Sequence, residues 1–363
     1  MAWQDHSRRS YRGGQPESTK CRQGRFLPIS HIFPFVAAKT RGRAGHCQSG
    51  RAAVSEATRT VNHRVVEITR EDARLNLHRG FLVVSSADGE IGRVALGDIG
   101  ALIIRGHGTS LSVAVCSAFA ERSLPVVICG SDQQPDAVIW PIDGHFEQGK
   151  RMQAQAEASL PVRKRLWREV VRAKIRTQAG ILDLRGVRSN RLRQMERAVR
   201  SGDPGNIEGQ AARYYWPMLM GAGFRRERSS GGINARLNYG YTVLRSATAR
   251  SILAAGLHPS LSLHHESRGT ALRLADDLME PFRPYVDFQV ARLMDEGETD
   301  ELSPAMKATL AAVLTRDLAG PKGVRPLQTC LDAMALSLAR VFTGEVRKLD
   351  LPGEPLPMDL AST

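Results

Sequence analysis

The hydrophobic pattern of this chain changes period once, and the change limits the fold to a β-rich part followed by a helical part. From Arg64 onward the apolar residues come in short runs: Val65-Val66-Glu67-Ile68, Ala73-Arg74-Leu75-Asn76-Leu77 and Phe81-Leu82-Val83-Val84. Residues 91–96 and 101–104 continue the series, and Asp88-Gly89 is a turn signal between two of the runs. Residues 111–122 read as one short helix, and residues 125–129 as a further buried strand. Runs of this length with glycine-rich turns predict a small β-sandwich or compact sheet. Beyond residues 140–145 the spacing becomes helical. Val162, Leu166, Val170 and Ala173 form one stripe, with Trp167, Val171 and Ile175 beside it. Helices are predicted over 208–222, 233–254, 271–280, 284–297, 304–317 and 325–348. The fold class is therefore read as α+β. A small N-terminal β-sandwich domain (62–140) leads through a linker (141–150) into a larger all-α C-terminal domain (151–350), with a tail over 351–363.

The net charge of +14 invites a nucleic-acid reading, but residues 1–56 alone hold +7 of it. That segment is rich in Arg, Gly, Ser and Gln and lacks periodicity, so residues 1–60 are predicted to be a disordered basic tail. One account makes it an arm for DNA phosphates. The favoured account is a start placed upstream of the true one, with the protein beginning near Val54 or Val61. Inside the folded part, residues 151–200 are the densest basic region, with 14 Lys/Arg against 4 Asp/Glu. Without interleaved aromatics, that bias suits duplex phosphates better than stacked single strands. Arg225, Arg226 and Arg228 are further candidates. Gly106 and Gly108 around His107 are not a phosphate loop, because no Gly-Lys-Ser/Thr follows. The five cysteines are widely spaced and contain no CxxC pair, which argues against a disulfide framework or a cysteine zinc site. Cys116 and Cys129 sit in apolar runs as small core residues. A cytoplasmic protein is expected. With no apolar run of about 18 residues, no membrane span is expected.

The chemistry concentrates in His264-His265 and in Asp276, Asp277 and Glu280, two imidazoles and three carboxylates within 17 residues. Oxygen ligands with an imidazole suit Mg²⁺ or Mn²⁺ better than structural zinc. Geometry limits the idea. His265 and Glu280 are 15 residues apart. On one helix that is roughly 22 Å, too far for one ion. A break near Gly269 would resolve this, with a helix from Ala271 that Pro281 and Pro284 stop or kink. On that helix Asp276/Glu280 (i,i+4) and Asp277/Glu280 (i,i+3) present carboxylates on one face. A solvated acidic face explains the same spacing without a metal. A further ligand could come from Glu208, placed in the first turn of a helix capped by Asn206 after the Pro204-Gly205 turn. The helix dipole favours a glutamate there in any case.

These segments together resemble a known family. Glu208-Gly209-x-Ala211-Ala212 with Tyr214-Tyr215-Trp216 is similar to the first metal-ligand motif of the CRISPR-associated spacer-acquisition integrase, the universal first CRISPR-associated protein. Residues 233–241, Ile-Asn-Ala-Arg-Leu-Asn-Tyr-Gly-Tyr, resemble its Asn-Ala-x-Leu-x-Tyr-Gly-Tyr helix start. Leu263-His264-His265 and residues 274–284 resemble its second and third ligand motifs, in wording closest to type II members. The resemblance covers about residues 62–350, leaving the tail outside. It implies Glu208, His265 and Glu280 as metal ligands, with Asp276, Asp277 and His264 in support. It also implies that the helical part is the catalytic one. Many members carry asparagines between the histidines and the acidic helix, whereas this chain has residues 266–273, Glu-Ser-Arg-Gly-Thr-Ala-Leu-Arg.

The implied activity is metal-dependent insertion of short double-stranded DNA fragments into a CRISPR array, by 3′-hydroxyl attack on a phosphodiester. Water in place of the hydroxyl gives endonuclease activity. The implied partners are a second copy of the chain, a small ferredoxin-like CRISPR-associated protein in a heterohexamer, and the type II effector nuclease. Two rivals stand beside this reading. A His-Asp nucleotide phosphohydrolase would need an adjacent His-Asp pair, and His265 is followed by Glu266. A non-catalytic DNA-binding scaffold would need no ligands at all.

Overall fold

The computed structural model describes residues 64–357, apart from residues 123, 131–134, 140–145, 228–229, 266–270, 298–301 and 322. The basic tail, the boundary at 140–145, the break at Gly269 and Arg228 lie outside the described residues. The described chain is mixed α+β.

The first part holds eight strands and one helix: β1 (Arg64–Ile68), β2 (Arg74–His78), β3 (Phe81–Ser86), β4 (Gly89–Ala95), β5 (Ile99–Ile104), β6 (Ser110–Leu111), α1 (Val113–Glu121), β7 (Val126–Cys129) and β8 (Pro135–Ile139). They form two four-stranded sheets, ordered β1-β5-β7-β8 and β4-β3-β2-β6. The first is mixed, with β1, β5 and β7 parallel and β8 antiparallel at the edge. Pro135 opens that edge strand, where its missing N–H costs least. All six residues of β5 are buried, which is why its run is continuous rather than alternating. Its Leu102 and Ile104 join Leu75 and Leu82 of the second sheet and Val115 and Phe119 of α1 in one core. Ile103 joins Val127 and Cys129 in a separate small cluster. Two sheets therefore share a core, as a sandwich requires, but α1 and the parallel pairing are part of it. Gly106 and Gly108 have a packing reason. A Cβ there would stand 2.1 Å from the Arg70 carbonyl oxygen and 2.2 Å from that of Glu71.

The second part is built from α2 (Gln148–Ala156), α3 (Leu160–Leu184), α4 (Asn190–Ala198), α5 (Ile207–Met220), α6 (Ile233–Ala254), α7 (Arg273–Leu278), α8 (Arg283–Asp295), α9 (Pro304–Ala311) and α10 (Leu327–Phe342). One large cluster runs through it, including Leu166, Val170, Tyr215, Leu244, Phe282, Phe288 and Leu338. The expectation of an all-α part needs correction. Strands β9 (Asp317–Gly320) and β10 (Gly323–Pro326) pair antiparallel between α9 and α10. Gly323 takes φ +95°, and Pro326 has no N–H to continue a helix. The helix predicted over 304–317 accordingly ends at Ala311, with a 3-10 turn over Ala312–Thr315. Among the described residues no helix is long and apolar enough to cross a membrane. Cys116 is half-buried, and Cys129 and Cys330 are buried.

Candidate active site

Glu208 owes its position to the way α5 starts. Asn206 caps the helix, its Oδ1 accepting the Gly209 N–H at 3.0 Å. Asp203 adds a second clamp. Its two oxygens accept the N–H groups of Ile207 and Glu208, each at 2.9 Å. Both residues sit at φ +48°, a conformation that Asn and Asp tolerate better than most side chains. Four orphan N–H groups open every helix, and three of these are satisfied here by side chains.

The histidine segment is fixed at two points. Gln155 of α2 donates to the carbonyls of His258 and Leu261 and accepts the His258 N–H, which anchors the chain leaving α6. Asp277, fully buried on α7, holds the far end. Its carboxylate accepts the N–H groups of Leu263 (2.6 Å), His264 (3.1 Å) and His265 (3.3 Å), and meets the His265 Nδ1 at 2.6 Å. That hydrogen bond, helped by neighbouring carboxylates, outweighs burial and raises the His265 pKa above the usual imidazole value. With Nδ1 engaged by Asp277, Nε2 is the nitrogen left to act as a ligand. Trp167 of α3 stacks on His264, with ring centroids 4.5 Å apart and an angle of 6° between planes, and meets His265 edge-on.

Glu280 stands at a joint. After α7 and Met279 the chain makes one 3-10 turn over Glu280–Phe282 and then enters α8. The carboxylate is buried. Its Oε1 pairs with Arg283 at 3.2 Å and its Oε2 with Lys174 at 2.5 Å. Burial opposes its charge, but Arg283 and Lys174 more than offset this and lower its pKa. The Lys174 ammonium also pairs with Glu208. It thus bridges the two glutamates from the buried face of α3. Burial works against the Lys174 charge too, and the flanking Glu280 and Glu208 carboxylates overcome it and raise its pKa.

Glu208 and Glu280 are therefore brought to one cation, with His265 close enough to lower the Glu280 pKa further. Asp277 sits behind His265. Asp276 goes elsewhere, held by Arg245 of α6 through two contacts of 2.8 Å. The expectation that Asp276 and Glu280 share one face is thus corrected: α7 ends at Leu278, two residues short of Glu280. Among the described residues no three His, Cys, Asp or Glu side chains stand grouped as a metal centre. The side-chain types still suit a hard divalent ion, two carboxylates and an imidazole, with a lysine ammonium lying between the carboxylates. Sequence spacing missed Lys174, Trp167 and Asp203. Trp167 and Lys174 are seven apart on α3, two turns along one face, which is the signal that could have found them.

The basic region is partly committed to internal pairs. Arg151 pairs with Glu147, Arg176 with Glu196, Arg185 with Asp295, and Arg193 with Asp183 and Glu354. Arg226 binds Asn234 and Asn238 of α6. Lys164, Arg188, Arg191, Arg197 and Arg200 remain exposed.

The family profile described as "CRISPR associated protein Cas1" matches residues 66–316. A CRISPR-associated endonuclease Cas1 from Neisseria meningitidis is 35% identical over 295 residues, covering 80% of this chain and 96% of the relative. The chain belongs to the Cas1 family. A second endonuclease Cas1, from Pyrobaculum aerophilum, is 26% identical over 286 residues, 74% of this chain and 96% of the relative. Among solved structures, a casposase bound to integration product superposes with TM-score 0.66 at 19% identity, over 79% of this chain and 92% of its own. The residues matched by the family profile begin at Val66, after the basic tail. Membership makes the chain an endonuclease of this family and removes the scaffold and phosphohydrolase readings.

Proposed function

We propose that this Cas1-family endonuclease binds one divalent ion, Mg²⁺ or Mn²⁺, through Glu208, His265 and Glu280, and inserts short DNA fragments into a CRISPR array. The observation that carries the reading is the convergence of Glu208 and Glu280 on one buried cation, with His265 clasped alongside by Asp277. A bound ion would supply Lewis-acid polarisation of the scissile phosphate. The protein's own residues do the rest. Asp277 holds the His265 loop and keeps Nδ1 occupied, so that Nε2 is presented as a ligand. Arg283 compensates the remaining charge on Glu280. Trp167 fixes the ring of His264, which supports rather than binds the ion. Asp276 supports the site through α6 and is not a ligand.

The exposed cations Lys164, Arg188, Arg197 and Arg200 are read as contacts to duplex phosphates. The casposase that shares this fold is bound to an integration product, which is consistent with strand joining as well as cutting. The finer organisation belongs to the same proposal. A β-sandwich domain (62–140), joined through 141–150 to a catalytic domain (151–350), works in the cytoplasm as a homodimer with a small ferredoxin-like partner. The assembly is a heterohexamer, with the type II effector nuclease as a further partner.

The test is a strand-joining assay. A fragment with a free 3′-hydroxyl is incubated with a plasmid-borne repeat, the partner protein and Mn²⁺ or Mg²⁺. The expected outcome is joining by the native protein and a loss of about 100-fold or more with Glu208→Ala, His265→Ala or Glu280→Ala. Joining at native rates by all three variants contradicts the proposed site.

A further inference from the structure

Lys174 has no task in the chemistry above, yet it occupies the centre of the site. Its ammonium contacts Glu208 and lies 2.5 Å from Glu280 Oε2, and its side chain is buried on α3, as are those of Trp167 and Thr177. Lysine is rarely buried at all, and a buried ammonium needs partners of opposite charge. Here both partners are residues read as metal ligands. They sit on different elements, Glu208 at the start of α5 and Glu280 in the turn before α8. Without a cation between them, two carboxylates, Glu280 buried and Glu208 partly exposed, would face each other. Arg283 pairs with the other oxygen of Glu280, Oε1.

We propose that Lys174 is a built-in counter-cation that fills the carboxylate pair in the metal-free protein and must be displaced when a divalent ion enters. The inference rests on the ligand assignment of Glu208 and Glu280. A protonated ammonium cannot coordinate a metal, and the two cations cannot share one space. The lysine stem has four rotatable carbons, so the head group can leave while α3 stays in place. Two consequences follow from the competition. The carboxylates stay at ligand spacing without metal, and each ion pair they make with Lys174 weakens their hold on a metal ion.

The experiment is a calorimetric titration of the full chain with Mn²⁺ at one fixed pH, using the native protein and the variants Lys174→Met, Glu208→Ala and Glu280→Ala. Lys174→Met is expected to bind Mn²⁺ about tenfold more tightly than the native protein, ~1.4 kcal/mol, while both glutamate variants lose binding. If the glutamate variants lose binding but Lys174→Met binds no more tightly than native, the counter-cation proposal is wrong and the ligand assignment stands. If the glutamate variants bind like the native protein, the ligand assignment itself fails and the proposal goes with it. Acylation of the native protein gives an independent reading should Lys174→Met fail to fold. Lys174 is expected to be protected in chelator and labelled once Mn²⁺ is added; labelling that Mn²⁺ leaves unchanged overturns displacement.

Discussion

Asp277 is buried at 0% exposure, its carboxyl held by three backbone N–H groups and one imidazole. Removing such an acceptor strands several buried donors at once. Asp277→Ala is expected to cost roughly 3 kcal/mol in urea unfolding and to weaken Mn²⁺ binding about tenfold or more through the loosened His265. A cost below about 1 kcal/mol would show that the clasp is not formed. Asp287 is a second buried carboxyl. Burial pushes its carboxyl from 3.8 up to about 7, although Tyr241 donates a hydrogen bond to it. Between these two values the unfolded chain has released a proton that the folded chain keeps. Folding stability therefore falls as pH rises through that window and levels off above about 7. Asp287→Asn is expected to gain on the native protein between about pH 4.5 and 7.5 by a few kcal/mol, read as the difference in urea midpoints. A constant difference across that range would contradict the buried neutral carboxyl. Individual residues also show what sequence can reveal. The types of His265, Glu280 and Glu208 announce metal chemistry. Which of the neighbouring acids serves the site does not follow from type, since Asp276 and Asp277 are adjacent and face Arg245 and His265 respectively.

Among the secondary-structure elements, local chemistry was legible wherever it was self-contained. Asn206 reads as a cap and is one, and the Asp88-Gly89 signal falls at the β3–β4 hairpin, whose turn residues are Ala87 and Asp88 with Gly89 opening β4. The second clamp on α5 was hidden because Asp203 must also adopt positive φ, which no spacing rule announces. Asp203→Ala is expected to destabilise the chain by about 1–2 kcal/mol and to reduce strand joining through a misplaced Glu208. Loss of stability with native activity would limit Asp203 to capping alone. The β9–β10 hairpin was missed for a different reason. It spans residues 317–326, most of which lie between the helices predicted over 304–317 and 325–348 and are too few to show a strand period.

Across the whole molecule, the proposed site draws on four separate elements. The buried face of α3 supplies Lys174 and Trp167, the start of α5 supplies Glu208, the Asp277-bound loop supplies His265, and the turn before α8 supplies Glu280. The change of period was readable because it is a local pattern, whereas the acidic helix was readable only in part, since α7 ends before Glu280. The Lys174 bridge was not, since α3 and α5 become neighbours only after the helical core forms. The same holds for charge: several arginines of residues 151–200 are bound to Glu or Asp on other segments, which composition alone cannot show. Crystals grown with Mn²⁺ and measured at the manganese absorption edge would locate the ion itself. An anomalous peak is expected within coordination distance of Glu208, His265 Nε2 and Glu280, with the Lys174 ammonium moved away. A peak held instead by Asp276 and Asp277, or none beside Glu208 and Glu280, would contradict the proposed triad.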